Sequence, residues 1–273
     1  MSAERVRVKI DAQGVAEVAL TRSEKMNALD AAMFEALADT LARLAAEADL
    51  RAVVLYGEGR AFCAGLDMAS FESMGKGTTA DALRDLASRT HGLCNLFQRV
   101  AWGWRELPVP VVAAVHGVAF GGGLQIALGA DIRLVTADLN MSVMEIKWGL
   151  VPDMAGCVLM NQLAGTDIVR ELTFTGRIFS GSEAAVLGLA TRVSADPLSE
   201  ARTLARQIAQ QNPDTIRANK RLLNLALSAS PAEALVAESV EQQRLIGSAN
   251  QIESVRAAME KRPPRFVSAA RTT

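Results

Sequence analysis

Aromatic side chains are scarce in this chain of 273 residues, which holds one Tyr, three Trp and eight Phe. A surface that stacks nucleic-acid bases on aromatics set among basic residues is therefore excluded. Charge excess is missing too: 29 Lys and Arg against 30 Asp and Glu leave a formal net charge of −1, without the cationic surplus that phosphate backbones demand. Cysteine is rare. Cys63, Cys94 and Cys157 are odd in number and lack C-x-x-C or metal-ligand spacing, so they read as reduced thiols of a cytoplasmic protein. Two histidines, His91 and His116, are too few for a histidine-based metal site. The opening MSAERVRVKID has no apolar core of a signal peptide or membrane anchor. What remains is 50% hydrophobic and 22% charged, enough for one substantial core with an appendage.

Hydrophobic periodicity divides the chain. Val6 to Ile10 alternates as a strand, Asp11 to Gly14 turns, and Val15 to Leu20 pairs back as a hairpin. Leu29, Met33, Leu37, Leu41 and Leu44 mark one face of a helix that runs to about Ala48. Arg51 to Tyr56 reads as a buried strand, and Gly57 to Arg60 as a turn. Met74 to Thr79 is a Gly- and Thr-rich loop, and helical patterns occupy residues 80–105, ahead of the Pro108-Val109-Pro110 break. Ile132 to Val135 is another strand, Leu139 to Ile146 continues extended, and Gly149 to Gly156 is a loop entering a helix over Val158 to Leu163. From Ser199 to Lys261 the pattern is helical, with breaks near Pro213 and Pro231. The repeated strand–strand–helix order predicts an α/β fold: a spiral of ββα units over residues 1–195, then a helical domain over residues 196–273.

The organising stretch is Val109 to Asp131, VPVVAAVHGVAFGGGLQIALGAD. Val109 to Val115 suits one buried strand and is too short to cross a membrane. It leads to Gly121, Gly122 and Gly123 at the entrance of a tightly packed helix. Glycines there let a ligand approach the backbone. The first helical amides lack intrahelical partners, and the helix dipole is positive at the same end. A group that carries or develops negative charge is expected at Gly122. A dinucleotide fingerprint is excluded by spacing, since Ile126 stands where the third glycine would fall.

Three blocks together resemble the crotonase, or enoyl-CoA hydratase/isomerase, superfamily: Asn27-Ala28-Leu29, Gly57-x-Gly59-Arg60-Ala61-Phe62-Cys63-Ala64-Gly65-Leu66-Asp67, and Pro110 to Asp131. The resemblance covers nearly the whole chain. It implies the crotonase-like spiral, an acyl-CoA thioester as substrate, and an enolate held by two backbone amides, here Leu66 and Gly122. It also implies a homotrimer, or a dimer of trimers, built through the C-terminal helices. A tail rich in Leu and Ala with few aromatics suits such a contact.

An oxyanion hole moves no protons, so side chains must. The resemblance assigns two glutamates to hydratases; the first position is Gln125 here, and the second, Glu145, is intact. Asp153 follows eight residues later, as in the family's Δ3,5-Δ2,4-dienoyl-CoA isomerases, whose third acidic position is again Gln125. A single glutamate at the Glu145 position characterises the Δ3-Δ2-enoyl-CoA isomerases. These comparisons favour isomerisation through Glu145 and Asp153. Water addition to a 2-enoyl-CoA and a weakly catalytic CoA-binding homologue stay open as alternatives. An amide at 125 is expected to hold an ordered water or orient the thioester. Asp153 has a plainer reading as a helix cap, and Glu145 as a solvated carboxylate at a strand end. His116 reads as a pocket wall and Cys63 as a small buried filler.

For the CoA moiety, the resemblance implies Arg22 and Lys25 at the nucleotide end, and Ala28, Ala64 and Asp67 where backbone meets adenine and pantetheine. Gly65 and Gly121 line the same site. Glu260 to Phe266 resembles a closing motif that reaches a CoA site, although Ser254 and Ala258 replace its usual Gly and Phe. No metal or cofactor is expected beyond the coenzyme A that the substrate carries. The acyl chain is not legible, because pocket length depends on residues 69–90.

Overall fold

Small and β-branched residues build the sheet, and the computed structural model describes it within residues 4–75 and 85–269. The strands are β1 (Val6–Ile10), β2 (Val15–Leu20), β3 (Ala52–Gly57), β4 (Val111–Val115), β5 (Val118–Phe120), β6 (Ile132–Val135), β7 (Asn140–Ser142), β8 (Phe179–Ser180) and β9 (Arg192–Val193). One sheet has the order β1-β2-β3-β4-β6-β9, in which the β1–β2 hairpin is antiparallel and the later pairings are parallel. A second sheet, β5-β7-β8, lies beyond the end of β4. β4 is VVAAV and buried throughout, as a parallel strand covered on both faces must be.

The helices are α1 (Ala31–Ala46), α2 (Met68–Gly75), α3 (Leu96–Glu106), α4 (Gly122–Gly129), α5 (Gly156–Asn161), α6 (Thr166–Thr175), α7 (Gly181–Val186), α8 (Pro197–Ala209), α9 (Pro213–Leu225), α10 (Pro231–Leu245) and α11 (Ala249–Met259). Alternation along the strands splits the core in two. Val53, Leu55, Val111 and Ala113 face α1, α3 and α4, where Leu37, Leu41, Trp104 and Ile126 are buried with them. Ala52, Val54, Val112 and Ala114 face Ala201 and Ala205 of α8. The first helix of the C-terminal segment thus closes the second face of the sheet, so the two parts share a core.

Several sequence expectations shift. α3 begins at Leu96, where Asn95 and Gln98 form a reciprocal capping box; of the helical pattern expected over 80–105, residues 80–84 lie outside the described residues. Residues 85–95 are turns and bends, with Gly92 at φ +67°. Of the expected loop over 74–79, residues 74 and 75 end α2 and residues 76–79 lie outside the described residues. The expected breaks at Pro213 and Pro231 are helix starts, each with proline at the first helical position.

The C-terminal helices are held by a buried cation. Lys220 of α9, 6% exposed, donates to the carbonyls of Trp104 (3.1 Å) and Val109 (2.7 Å) and to Asp131 Oδ2 (2.8 Å). Asp131 Oδ2 also accepts from Val111 N–H (2.7 Å), so one ion pair ties α9 to the strand that leads into the glycine triplet. Lys220→Met is expected to lower stability by about 3 kcal/mol, because it strands a partly buried carboxylate. Urea unfolding followed by circular dichroism measures it, and an unchanged midpoint would remove the ion pair from the account.

Candidate active site

The site assembles where α4 meets the turn after β3. Gly123 sits so close to this turn that an added Cβ would fall 2.2 Å from the carbonyl oxygen of Cys63. On the turn side, Gly65 has φ +85°, and a Cβ there would lie 2.6 Å from the Phe120 carbonyl oxygen and 3.6 Å from Gly122 N. Both pieces of backbone therefore touch without side chains between them. Asn27, itself at φ +54°, braces the turn from below. Its Nδ2 donates to the carbonyls of Glu58, Ala61 and Phe62 at 3.0, 2.9 and 3.1 Å. In the sequence Asn27 stands out only as part of the Asn27-Ala28-Leu29 block; its burial and left-handed backbone arise from packing.

Two amides here are free of the local backbone pairing, those of Leu66 and Gly122. Leu29 N–H donates to Gly65 C=O (2.8 Å) and Asp67 N–H donates to Leu29 C=O (3.0 Å), a parallel bridge around Leu66. In such a ladder the residue between these groups turns its own N–H to the other side. Gly122 is the first residue of α4, and its N–H has no intrahelical partner. Leu29 and Met154 back Gly122: a Cβ there would lie 2.8 Å from Leu29 Cδ1 and from Met154 Sδ. Met154 was not anticipated, since nothing in its local sequence marks it.

Glu145 does not end a strand. β7 stops at Ser142, whose carbonyl accepts from Gly121 N–H (3.0 Å) and whose hydroxyl donates to Gly176 C=O (2.9 Å). Residues Met144–Trp148 form a 3₁₀ turn closed by Gly149 at φ +68°, so the extended pattern expected to Ile146 is overruled by the turn that glycine permits. The half-buried Glu145 presents Oε1 to Gln125 Nε2–H at 2.6 Å. Its Oε2 is buried without a hydrogen-bond partner among the described residues. Burial pushes the Glu145 carboxyl above the usual range; its own backbone N–H and then the Gln125 hydrogen bond oppose this, and the Asp153 charge adds to it. Asp153, exposed at the same site, is also pushed upward by the protein crowding it. Asp153 does not cap α5, whose cap residue is Ala155 with no side-chain bond.

Gln125 departs from expectation. It is 2% exposed, and its Oε1 accepts from Met154 N–H and Gly156 N–H, both at 2.8 Å. Both ends of the amide have protein partners, instead of the water or thioester expected there. The other predicted positions divide similarly. Arg22 donates to Ala28 C=O (3.0 Å) and pairs with Asp67 and Asp30, so Arg22 and Asp67 brace the scaffold through their side chains, while Lys25 stands exposed. Ala64 N–H is spent on Met26 C=O (2.9 Å). Arg262, from the expected closing motif, pairs with Glu253 and Glu260 and folds back on α11. His116 Nε2 donates to Gly59 C=O (2.9 Å). Cys63 is buried, its thiol pushed up to about 12 by desolvation, and it acts as a filler.

Comparison with known proteins covers the whole arrangement. A sequence family described as enoyl-CoA hydratase/isomerase matches residues 11–269. Enoyl-CoA hydratase domain-containing protein 2, mitochondrial, of Homo sapiens is 32% identical over 263 residues, 93% of this chain and 86% of the relative. Delta(3,5)-Delta(2,4)-dienoyl-CoA isomerase, mitochondrial, of Mus musculus is 30% identical over 269 residues, 97% of this chain and 82% of the relative. The crystal structure of an enoyl-CoA hydratase from Bacillus anthracis has a TM-score of 0.86 at 27% identity, covering 96% of this chain and 98% of that one.

Glu145 is expected to titrate above the ordinary value of 4.5, because its buried Oε2 is ill placed to carry charge. A carboxyl carbon-13 titration of the free protein, with the signal assigned through Glu145→Gln, measures this. A midpoint at or below the ordinary value would mean that water reaches the carboxylate freely.

Proposed function

The chain belongs to the enoyl-CoA hydratase/isomerase family, and we propose that within it the protein is an isomerase that shifts double bonds of an unsaturated acyl-CoA. The observation that supports this reading is that one amide, Gln125, binds both Glu145 and the Met154 N–H next to Asp153. Asp153 is felt electrostatically by Glu145, while the position one helical turn past Gly122 holds an amide whose ends are both occupied. Two acids suit removal and return of a proton on carbon; an occupied amide does not activate water.

In this reading the thioester carbonyl accepts hydrogen bonds from Leu66 N–H and Gly122 N–H, and charge develops on it as a C2 proton leaves. Such preorganised donors are worth about 3–4 kcal/mol each in the transition state. Glu145 takes the C2 proton. The electron pair of that C–H bond moves into the enolate, and its collapse forms the 2-ene while a proton adds at the far end of the displaced π system. For a 3-enoyl chain that end is C4, two carbons away, which one carboxyl can serve. For a 3,5-dienoyl chain it is C6, and Asp153, protonated at the start, delivers it. The substrate neither gains nor loses atoms overall; after a 3,5-dienoyl turnover Glu145 holds the proton and Asp153 is ionised, and proton exchange with solvent restores both, with no cofactor used beyond the CoA of the substrate.

The exposed Lys25 is the cation best suited to the CoA phosphates, with Arg22 bonding the Ala28 carbonyl and the Asp67 carboxylate and so steadying both residues at the nucleotide end. Large apolar side chains stand exposed on the C-terminal helices, including Leu223 (71%), Leu235, Val236 and Met259 (79%). They support a homotrimer, or a dimer of trimers. Among the described residues no helix is long and apolar enough to cross a membrane, and the exposed free thiol of Cys157 supports a reducing, cytoplasmic setting.

Initial rates on 2-enoyl-, 3-enoyl- and 3,5-dienoyl-CoA test the reading. Glu145→Gln is expected to lose about 10²–10⁴-fold in kcat. Asp153→Asn should be severe for the 3,5-dienoyl substrate and milder for the 3-enoyl one. Hydration of 2-enoyl-CoA at an ordinary enzymatic rate, indifferent to Asp153→Asn, would make the protein a hydratase instead. Binding of all three without turnover would make it a CoA-binding homologue. Sedimentation at micromolar concentration should give a trimer or hexamer, and a monodisperse monomer would rule out the assembly.

A further inference from the structure

The Gln125 amide can sit only one way. Two backbone N–H donors, those of Met154 and Gly156, converge on one of its terminal atoms at 2.8 Å each. That atom must be the oxygen, because an NH₂ group cannot accept them. The other end is therefore the NH₂, and it donates to Glu145 Oε1 at 2.6 Å. Two glycines make room for this chain of bonds. A Cβ on Gly156 would lie 2.5 Å from Gln125 Oε1, and one on Gly121 would lie 3.2 Å from Glu145 Oε1. Glu145 Oε1 is thus held against the first turn of α4 with a donor on it, while Oε2 is buried and unpartnered.

We propose that Gln125 is a positioning residue that assigns the two oxygens of Glu145, holding Oε1 as a fixed acceptor and leaving Oε2 to take and give the proton, while binding the loop of Asp153 to the same amide. The proton-transfer half of this rests on the isomerase reading above; the oxygen assignment does not. A donor on Oε1 opposes protonation there, and the buried Oε2 has no competing bond to break before it accepts a proton. The same amide grips Met154 and Gly156, which flank Ala155 just past Asp153, so the two carboxyls are referenced to one side chain. Asp153 is the charged group whose field reaches Glu145. The other charged residues on adjoining elements are Lys147 on its own turn and Asp167, Arg170 and Glu171 on α6, with Arg177 just beyond; α4 and α5 carry none.

One consequence reverses the simplest expectation for this position. A glutamate at 125 has the shape of the hydratase residue, but one of its oxygens would meet Glu145 Oε1 where a donor now stands. The two carboxylates could not both ionise at that distance and would share a proton. Gln125→Glu should therefore impair proton abstraction rather than add hydration.

The test uses the full-length protein and two variants, Gln125→Glu, which is isosteric, and Gln125→Met, which removes both hydrogen-bonding ends. Carbon-13 titration of the Glu145 carboxyl in the free protein should move to higher pH in both variants, further in Gln125→Glu. Hydrogen exchange at the Met154 and Gly156 amides should quicken in Gln125→Met and stay slow in Gln125→Glu, which keeps an acceptor. On a turned-over substrate, kcat should fall about 10²-fold in both with KM little changed. A Glu145 titration that does not move in either folded variant would overturn the proposal, as a purely structural glutamine would leave it in place. If the wild type isomerises nothing, the isomerase reading fails by that result, while the titration still decides whether the Gln125 amide holds the Glu145 carboxylate.

Discussion

Everything at this site depends on a contact between two stretches of backbone that no side chain could survive. The first turn of α4 lies on the Cys63–Leu66 turn closely enough that a Cβ on Gly123 would fall 2.2 Å from a carbonyl oxygen. That approach brings Gly65 to the Gly122 amide, 3.6 Å from where a Cβ on Gly65 would stand. A methyl group inserted there would have to push apart elements already buried on both sides, and a packed interior yields poorly to such strain. The glycines are thus a geometric condition for this backbone contact, and the rest of the core holds the two pieces in register: the parallel β3–β4 pairing, the Asn27 brace and the Lys220–Asp131 tie.

Around that backbone contact the chemistry is a matter of desolvation. Glu145 and Asp153 are both raised by the protein around them, which suits groups that must hold a proton in one state and release it in another. Gln125 tempers this at Glu145 by donating to one oxygen only. The cationic residues nearby serve a different end. Arg22, enclosed between Asp30 and Asp67, stiffens the loop below the site, so a residue expected to greet the nucleotide works first as a brace.

Much of the architecture was legible because it rests on local pattern. The alternation of Val6–Ile10, the apolar run at Val111–Val115 and the heptad-like leucines of α1 each encode burial through a period of their own. Pro213 and Pro231 marked helix boundaries through fixed φ and a missing donor. Legibility failed where one glycine or cap outweighed the pattern: Gly149 folded residues 144–148 into a turn, and α3 starts at the Asn95–Gln98 box, leaving residues 85–94 outside the helix that composition favoured there.

By itself, the order of residues determined which groups could do chemistry: the glycine triplet, a glutamate and an aspartate eight residues apart, and an amide in place of a third acid. Residue type bounds what a group can donate, accept or ionise, wherever it ends up. Only the tertiary structure decided how those capacities are used, because hydrogen-bond partners, burial and field arise between residues far apart in sequence. Gln125 stands 20 residues from Glu145 and 31 from Gly156, and no local window shows that one amide serves both. Its identity permitted a water, a thioester or a protein partner; packing left it the protein.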